Sequence, residues 1–242
     1  MKQRGSITLV LLSYNEQEAL SKLIPPIPFT LFNQVFAIDG GSTDGTLKVY
    51  ATYGIPYFVQ PVPGRGNAFL LALEKVTTEY IVFLSADGNE NPDDLPTISA
   101  YLNEGYDLVI GGRFLLPGSA SDDSDDPLCI RRWGNIGYSA IVRMLWKSGV
   151  RDAINGYRGF RVESMKRLKL DASWHEIELQ STIRAAKLGM RIKEFPTQEL
   201  LRLGGQRKAS AGTLILGWKL GCLLLREILR GRQFETKRTA MR

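Results

Sequence analysis

Short apolar runs recur along the first half of the chain, and each ends abruptly in a polar turn. Residues 6–12, 35–38, 57–60, 80–84 and 107–110 carry them. These runs are apolar throughout rather than alternating, which is the pattern of strands buried on both faces. The segments between them read as helices: 16–24, 46–53, a helix opened by Gly64-Arg65-Gly66-Asn67 with Ala68, Leu71, Ala72 and Val76 on one face, and 92–103. Strand–helix alternation of this kind predicts an α/β fold, a mostly parallel sheet with helices on both sides. Local signals agree. Asn15 is placed as a helix N-cap with Glu18 near a capping box, Pro25-Pro26 stops that helix, and Pro92 sits in the first turn of the fourth.

The second half continues with a helix over 130–146, a Gly-rich segment over 156–161, a helix over 174–188 closed by Gly189, and a strand over 191–195. Residues 118–127 hold Asp122, Asp123, Asp125 and Asp126 among Ser and Gly. They read as a solvated loop, and their spacing fits no calcium loop. A final helix is predicted over 213–230, so the chain divides into a body, 1–210, and an amphipathic basic segment, 211–242.

Composition narrows the function. His175 is the only histidine, which argues against a histidine-based zinc site or a catalytic triad, and it is read as a surface helix residue. Cys129 and Cys222 have no metal-like spacing, the default of a reduced, cytosolic compartment, and residues 7–12 are too short for a signal-peptide core. The net charge of +6 is uneven. From Arg202 onward there are ten basic and two acidic residues, leaving the rest of the chain at −2. No aromatic–basic stacking motif accompanies this charge, so an anionic membrane surface is expected as partner and nucleic acid is not. In the last helix, Lys219, Arg226 and Arg230 share a face with Cys222, and leucine, isoleucine and Trp218 cover the rest. Its apolar runs are too short to span a bilayer and suit a helix lying in the interface. The competing reading is a helix packed on the body or on a second copy, a possible homo-oligomer.

In an open α/β sheet, ligands bind at the carboxyl ends of the strands. The run 81–84 ends in Ser85-Ala86-Asp87-Gly88-Asn89, where Asp87 and Asn89 offer two oxygen ligands to a hard cation; the plainer reading is an Asp/Asn turn. Taken in order, Ser13-Tyr14-Asn15-Glu16, Asp39-Gly40-Gly41-Ser42-Thr43-Asp44-Gly45, Gly64-Arg65-Gly66-Asn67, Ser85-Ala86-Asp87-Gly88, Gly111-Gly112-Arg113-Phe114, Asp152, Gly156-Tyr157-Arg158-Gly159-Phe160, Glu194-Phe195-Pro196-Thr197 and Arg202-Leu203-Gly204-Gly205 resemble the successive signatures of family-2 glycosyltransferases. The set covers roughly residues 5–210 and is most similar to the dolichol-phosphate mannosyltransferase-like, or polyprenyl-phosphate sugar synthase, branch.

That resemblance implies a GT-A fold, a nucleotide-sugar donor, a divalent cation (magnesium or manganese) and inversion at the anomeric carbon. It implies donor contacts from Tyr14, Glu16, Asp39, Arg65 and Ser85, metal ligation by Asp87 and Asn89, and catalytic roles for Asp87, Arg113 and Arg202. Arg131 or Arg132, and Arg202, would grip the acceptor's lipid phosphate, with Asp152 also on the acceptor side, and Arg207 and Lys208 would close over the donor or merely solvate the loop. Two positions depart from the family pattern: Gly40 stands where a second aspartate is usual, and Ser85 replaces the first carboxylate of the Asp-x-Asp motif. The expected function is transfer of a sugar from UDP- or GDP-sugar to a membrane polyprenyl phosphate by an enzyme peripheral to the cytoplasmic membrane face. The alternatives are a glycan or small-molecule hydroxyl as acceptor, and a non-catalytic nucleotide-sugar-binding homologue. A hydroxyl acceptor would need a general base. Glu176 and Glu178 lie two apart on a helix, so only one of them should point into a site.

Overall fold

The structure, a computed structural model, describes residues 5–121, 128–204 and 213–235. The acidic stretch 122–127, Arg207, Lys208 and the basic end of the chain lie outside the described residues. The first half alternates as expected: β1 (Ile7–Ser13), α1 (Gln17–Leu23), β2 (Gln34–Asp39), α2 (Thr46–Thr52), β3 (Tyr57–Val59), α3 (Arg65–Lys75), β4 (Tyr80–Ser85), α4 (Leu95–Asn103) and β5 (Leu108–Gly112). The second half holds α5 (Ile130–Trp146), β6 (Arg158–Arg161), α6 (Val162–Arg167), α7 (Glu176–Lys187), β7 (Ile192–Pro196) and α8 (Thr213–Arg230).

The seven strands form one sheet in the order β3-β2-β1-β4-β6-β5-β7. All neighbours are parallel except β6, which runs antiparallel between β4 and β5. The sheet is therefore mostly parallel, the architecture implied by the resemblance. Alternate residues of each buried strand feed two cores. Val10, Leu12, Phe83 and Ile110 join α3, α5, α7 and α8 on one face. Leu9, Leu11, Val82, Leu84 and Val109 join α1 and α4 on the other. Burial on both faces is why β1, β4 and β5 are apolar without alternation, whereas the run at β3, expected to be buried too, is an edge strand exposed along its length. Phe69 of α3 stacks on Phe83 at 3.9 Å between ring centroids, seating α3 against the centre of the sheet.

Some local expectations are corrected. Asn15 is not a helix cap. It adopts φ +52° and its Oδ1 accepts from the backbone N–H of Thr43 at 2.8 Å, tying the loop after β1 to the loop after β2. The N-cap position of α1 is Glu16, with no side-chain cap, and Glu18 pairs with Lys22 in solvent. The helix expected from Pro92 opens as a 3-10 turn, Pro92–Asp94, before α4 begins. Most importantly, the Gly-rich segment supplies β6. Gly159 pairs with both Val82 and Val109, and a Cβ there would meet Ile98 and Leu102 at 2.9 Å, so only glycine lets α4 lie this close.

No helix among the described residues is long and apolar enough to cross a membrane. Helix α8 has a docked side and an exposed side. Leu220, Leu223, Leu224 and Glu227 are buried against the body. Glu227 accepts from Arg184 Nη2 at 2.7 Å and Lys187 Nζ at 3.0 Å, and Arg184 also bonds Asp171 at 2.8 Å. Arg230 pairs with the same aspartate at 2.8 Å and Arg226 lies 3.6 Å from it, so two cations of the expected basic stripe are spent on the body. The other side keeps Ile215, Trp218, Leu225 and Leu229 exposed, Leu229 at 84%.

Arg184 and Glu227 are both fully buried, so removing one partner leaves the other as an uncompensated charge. Glu227→Ala is expected to lower stability by about 3 kcal/mol or more, measured as a shift of the urea midpoint at unchanged m-value.

Candidate functional site

The carboxyl ends of β1, β2, β4 and β5 open into one cleft of about 1060 Å³. Its walls come from α5, the start of α7 and the first turns of α8. Of the residues expected at a site, Tyr14, Glu16, Arg65, Ser85, Asp87, Asn89, Arg113, Arg131 and Arg202 line it. Asp39, Asp152 and Arg132 are not among the lining residues.

At the β4 end, Gly88 adopts φ +81° and reverses the chain directly after Asp87. The segment before residue 204 is laced across this turn: Leu203 N–H donates to Asp87 O at 3.1 Å and Leu200 N–H to Asn89 O at 2.7 Å. Leu203 also fills the space beside Gly88, where a Cβ would meet it at 2.5 Å. This lacing delivers Arg202, whose Nη1 donates to Asp87 Oδ2 at 2.9 Å and whose Nη2 donates to Glu16 Oε1 at 2.7 Å. One guanidinium thus bridges the carboxylates at the ends of β1 and β4. Asn89 Oδ1 is buried and accepts no hydrogen bond, while Asp87 Oδ1 accepts only weakly from Asn89 N–H at 3.2 Å. An amide oxygen without a partner beside a carboxylate is an oxygen donor set of the kind that suits a hard divalent cation. Asp87 and Asn89 therefore fit the expected metal.

A second guanidinium, Arg65 at the first position of α3, lies at the cleft floor. Its Nε donates to Glu178 Oε1, its Nη1 reaches Ser85 Oγ at 3.3 Å, and its Nη2 lies 3.9 Å from Glu90. Burial opposes its charge, but Glu178 and Glu90 outweigh that and hold its pKa above the usual value. Glu90 turns back onto Ser85, accepting from Ser85 Oγ at 2.9 Å and from Ser85 N–H. Burial pushes Glu90 up to about 7; Arg65 pulls it down and Asp87 adds to the rise. Gly156 is packed on the Arg65 guanidinium so tightly that a Cβ would meet Nη2 at 1.9 Å.

Arg113, at the end of β5, is held by Asp152 through Nε at 2.7 Å and Nη2 at 3.2 Å, with Glu199 at 3.5 Å. Burial works against its charge and the two carboxylates more than restore it. Asp152 is fully buried in this bidentate pair, and it also accepts from Arg113 N–H, so it acts on Arg113 rather than facing the cleft. Asp39 is likewise turned inward. Its carboxylate accepts from Ser13 Oγ, Ser42 Oγ and the N–H groups of Gly41 and Ser42, and so shapes the loop beyond β2. Arg132 stacks on Phe114 at 5.9 Å while its neighbour Arg131 faces the cleft. Tyr14 lies against Gly40, where a Cβ would come within 3.3 Å of its ring. Of the two glutamates on α7, Glu178 is the one that lines the cleft; its Oε2 is buried without a partner. His175 is exposed at the start of that helix, on the cleft rim.

The sequence reading gave no role to Glu90, Glu199 or Arg158. Glu90 carried a usable signal, because a glycine two residues before it lets the chain return to Ser85. Glu199 carried none, since Arg113 is distant in the chain, and Arg158 showed only as a member of the Gly-rich signature, its partners lying both nearby, at Ala153 and Asn155, and on α7.

Because Gly156 backs Arg65, Gly156→Ala must push the guanidinium off Glu178 and Glu90. We expect binding of UDP or GDP with Mn²⁺, measured by calorimetry on the folded protein, to weaken about tenfold or more, with melting temperature lowered as well because Arg65 and Glu178 lose their pairing. Unchanged binding would show that Arg65 is not held for the ligand.

Comparisons with known proteins agree with this geometry. The model of the family described as Glycosyl transferase family 2 matches residues 8–169. Glycosyltransferase AglJ of Haloferax volcanii is 31% identical over 200 residues, 81% of this chain, and the chain spans 64% of that protein's length. Dolichyl-phosphate hexose transferase of the same organism is 26% identical over 93% of this chain and 96% of its own length. A crystal structure of glucosyl-3-phosphoglycerate synthase from Mycobacterium tuberculosis, in complex with Mn²⁺, UDP and glucosyl-3-phosphoglycerate, superposes with a TM-score of 0.71. It is 19% identical and covers 92% of this chain and 79% of its own, a likeness of fold. With the seven-stranded sheet and the ordered strand-end motifs, these matches place the chain in glycosyltransferase family 2 with a GT-A fold, in the dolichol-phosphate mannosyltransferase-like branch.

Proposed function

We propose that this protein is an inverting glycosyltransferase that moves a sugar from UDP- or GDP-sugar to a membrane polyprenyl phosphate, with residues 1–210 as the transferase body and 211–242 facing the membrane. The observation that carries the reading is the cleft's charge. Among the described residues, Arg65, Arg113, Arg131 and Arg202 line it together with Glu16, Asp87, Glu90, Glu178 and Glu199. Guanidinium groups are suited to phosphates, yet five carboxyl groups, Glu90 among them with its pKa pushed up to about 7, leave the lining no positive surplus. A diphosphate therefore enters favourably only with added positive charge. Asp87 and Asn89 would hold Mg²⁺ or Mn²⁺, which when bound neutralises the charge developing on the departing diphosphate.

The chain's own residues supply the rest. Tyr14 and Glu16 stand at the β1 end beside Gly40, where the nucleoside would lie. Arg202, which pairs with Asp87 and Glu16, and Arg65 would grip the phosphates. Arg113 and Arg131 on the opposite wall would receive the acceptor phosphate. A lipid phosphate is already an anion at neutral pH, so no general base is required. The cleft also opens between α5 and α8, whose outward sides carry Ile130, Trp133 and Trp218, the last two 66% and 75% exposed. Tyr138 Oη, donating to Gly217 O at 2.7 Å, holds these helices together at the mouth. An apolar rim beside basic groups suits a lipid tail leaving the site. The names of the dolichyl-phosphate relatives point the same way.

Radiolabelled UDP- and GDP-sugars offered with polyprenyl phosphate, 3-phosphoglycerate or a soluble glycan test this. Label is expected in the lipid fraction, lost in Asp87→Ala and in excess chelator. Label only in a water-soluble product would overturn the acceptor assignment, and full activity with chelator would overturn the cation. Membrane attachment needs a separate test. Deleting 211–242 would also remove Leu220, Leu223 and Leu224, baring the core they cover, and would strand Arg184 without Glu227. Trp218→Glu with Leu229→Glu instead alters only the exposed side, and co-sedimentation with anionic liposomes is expected to fall several-fold at unchanged melting temperature.

A further inference from the structure

Strand β4 ends at Ser85, which carries no charge although it lines the cleft beside Asp87. The chain supplies a carboxylate there by another route. Gly88, at φ +81°, reverses the backbone so that Glu90 returns over the strand end. One oxygen of Glu90 accepts from Ser85 Oγ at 2.9 Å and the other from Ser85 N–H. The same Ser85 Oγ receives Arg65 Nη1 at 3.3 Å, and Arg65 Nη2 lies 3.9 Å from Glu90. Glu90 therefore sits about where the carboxylate of a longer acidic side chain at position 85 would lie, and it faces the same cation. Its side chain is 11% exposed. Small Ser85 leaves the room; an acidic residue at 85 would place two carboxylates within hydrogen-bonding distance of each other. From the other side Arg65 is held by Glu178, backed by Gly156 and laid over Phe69 at 5.7 Å, so Glu90 and Ser85 bound the guanidinium on the side of the strand end.

We propose that Ser85 and Glu90 work as one unit, in which Glu90 is the positioning residue that supplies the carboxylate absent from the strand end and holds Arg65 toward the donor's phosphates. This rests on the nucleotide-sugar reading of the cleft. The unit tolerates a single carboxylate, at either position. Removing it leaves Arg65 held on one side only; doubling it sets like charges against each other at the strand end.

The test is a swap read by calorimetric binding of UDP and GDP with Mn²⁺ to the full-length protein. Glu90→Gln keeps shape and loses charge; Glu90→Ser loses both; Ser85→Asp doubles the carboxylate. Each is expected to weaken nucleotide binding about tenfold, the scale of one charge-assisted hydrogen bond. The double variant Ser85→Asp/Glu90→Ser is expected to recover to within about threefold of the parent, a coupling that independent sites do not show. In turnover, the single variants should raise the donor KM more than they lower kcat. Additive losses in the double variant would overturn the inference, as would unchanged binding in Glu90→Gln, which alone decides the matter should the double variant not fold. A parent that binds neither nucleotide overturns the donor reading and this inference with it; a parent that binds, with all variants equal to it, overturns the inference alone.

Discussion

Arg158 is the buried charge on which the site depends. It stands at the start of β6, fully buried, and every neighbour it bonds is a carbonyl or a hydroxyl: Asn155 O, Ala153 O, Glu178 O, Ser181 Oγ and Thr182 Oγ1. Burial lowers its pKa to about 10, with Glu178 and Asp152 opposing the fall. A guanidinium in such a place is tolerated because its donors are answered by oxygens that would otherwise need partners themselves. The consequence is geometric. The loop 152–156, strand β6 and helix α7 are fastened to a single group. From that loop Asp152 reaches Arg113 and Gly156 backs Arg65; from that helix Glu178 reaches Arg65. Two of the four cleft arginines are aimed by residues that one buried cation locks together.

The cleft that results is crowded with opposite charges that already satisfy one another. Arg202 holds Glu16 and Asp87, Arg65 holds Glu178 and Ser85 with Glu90 close by, and Arg113 holds Asp152. Such pairing keeps buried charges tolerable without a ligand. It also means that binding is an exchange of partners: an anion that takes up Arg202 must compete with Asp87 and Glu16 for it. Ligands bearing both signs, such as a metal-bound diphosphate, suit such a site better than either charge alone. The basic surplus of the chain lies elsewhere, toward its carboxyl end, and part of it serves to dock α8 through Asp171 and Glu227.

The chain order of strands and helices was legible because burial on both faces leaves an unbroken apolar run, and each strand end is marked by glycine or a carboxylate. Residues at those ends, Glu16, Asp87, Asn89 and Arg113, were found for the same reason. Two acidic residues of the same set were assigned outward roles and point inward. Asp39 accepts from three donors in its own loop and from Ser13 of β1, and Asp152 is matched in bidentate geometry by Arg113. Neither preference shows in a linear pattern, because each depends on a group brought alongside by the fold. The antiparallel strand β6 was missed because four residues rich in arginine and glycine show neither apolar continuity nor alternation, and its pairing comes wholly from β4 and β5.

The sequence by itself determined the α/β class, the polar strand ends and the uneven charge, because these follow from local composition and spacing, and it pointed to the family through motifs that resemble its signatures in order. Only the tertiary structure decided which charges meet. It brought Arg202 back over Asp87 across more than a hundred residues, set Glu178 rather than Glu176 at the cleft, split α8 into a docked side and an exposed side, and folded Glu90 onto the uncharged Ser85. Ion pairing and desolvation act over a few ångströms in space, so the partner of a buried charge is fixed by packing and is not written in its neighbours along the chain.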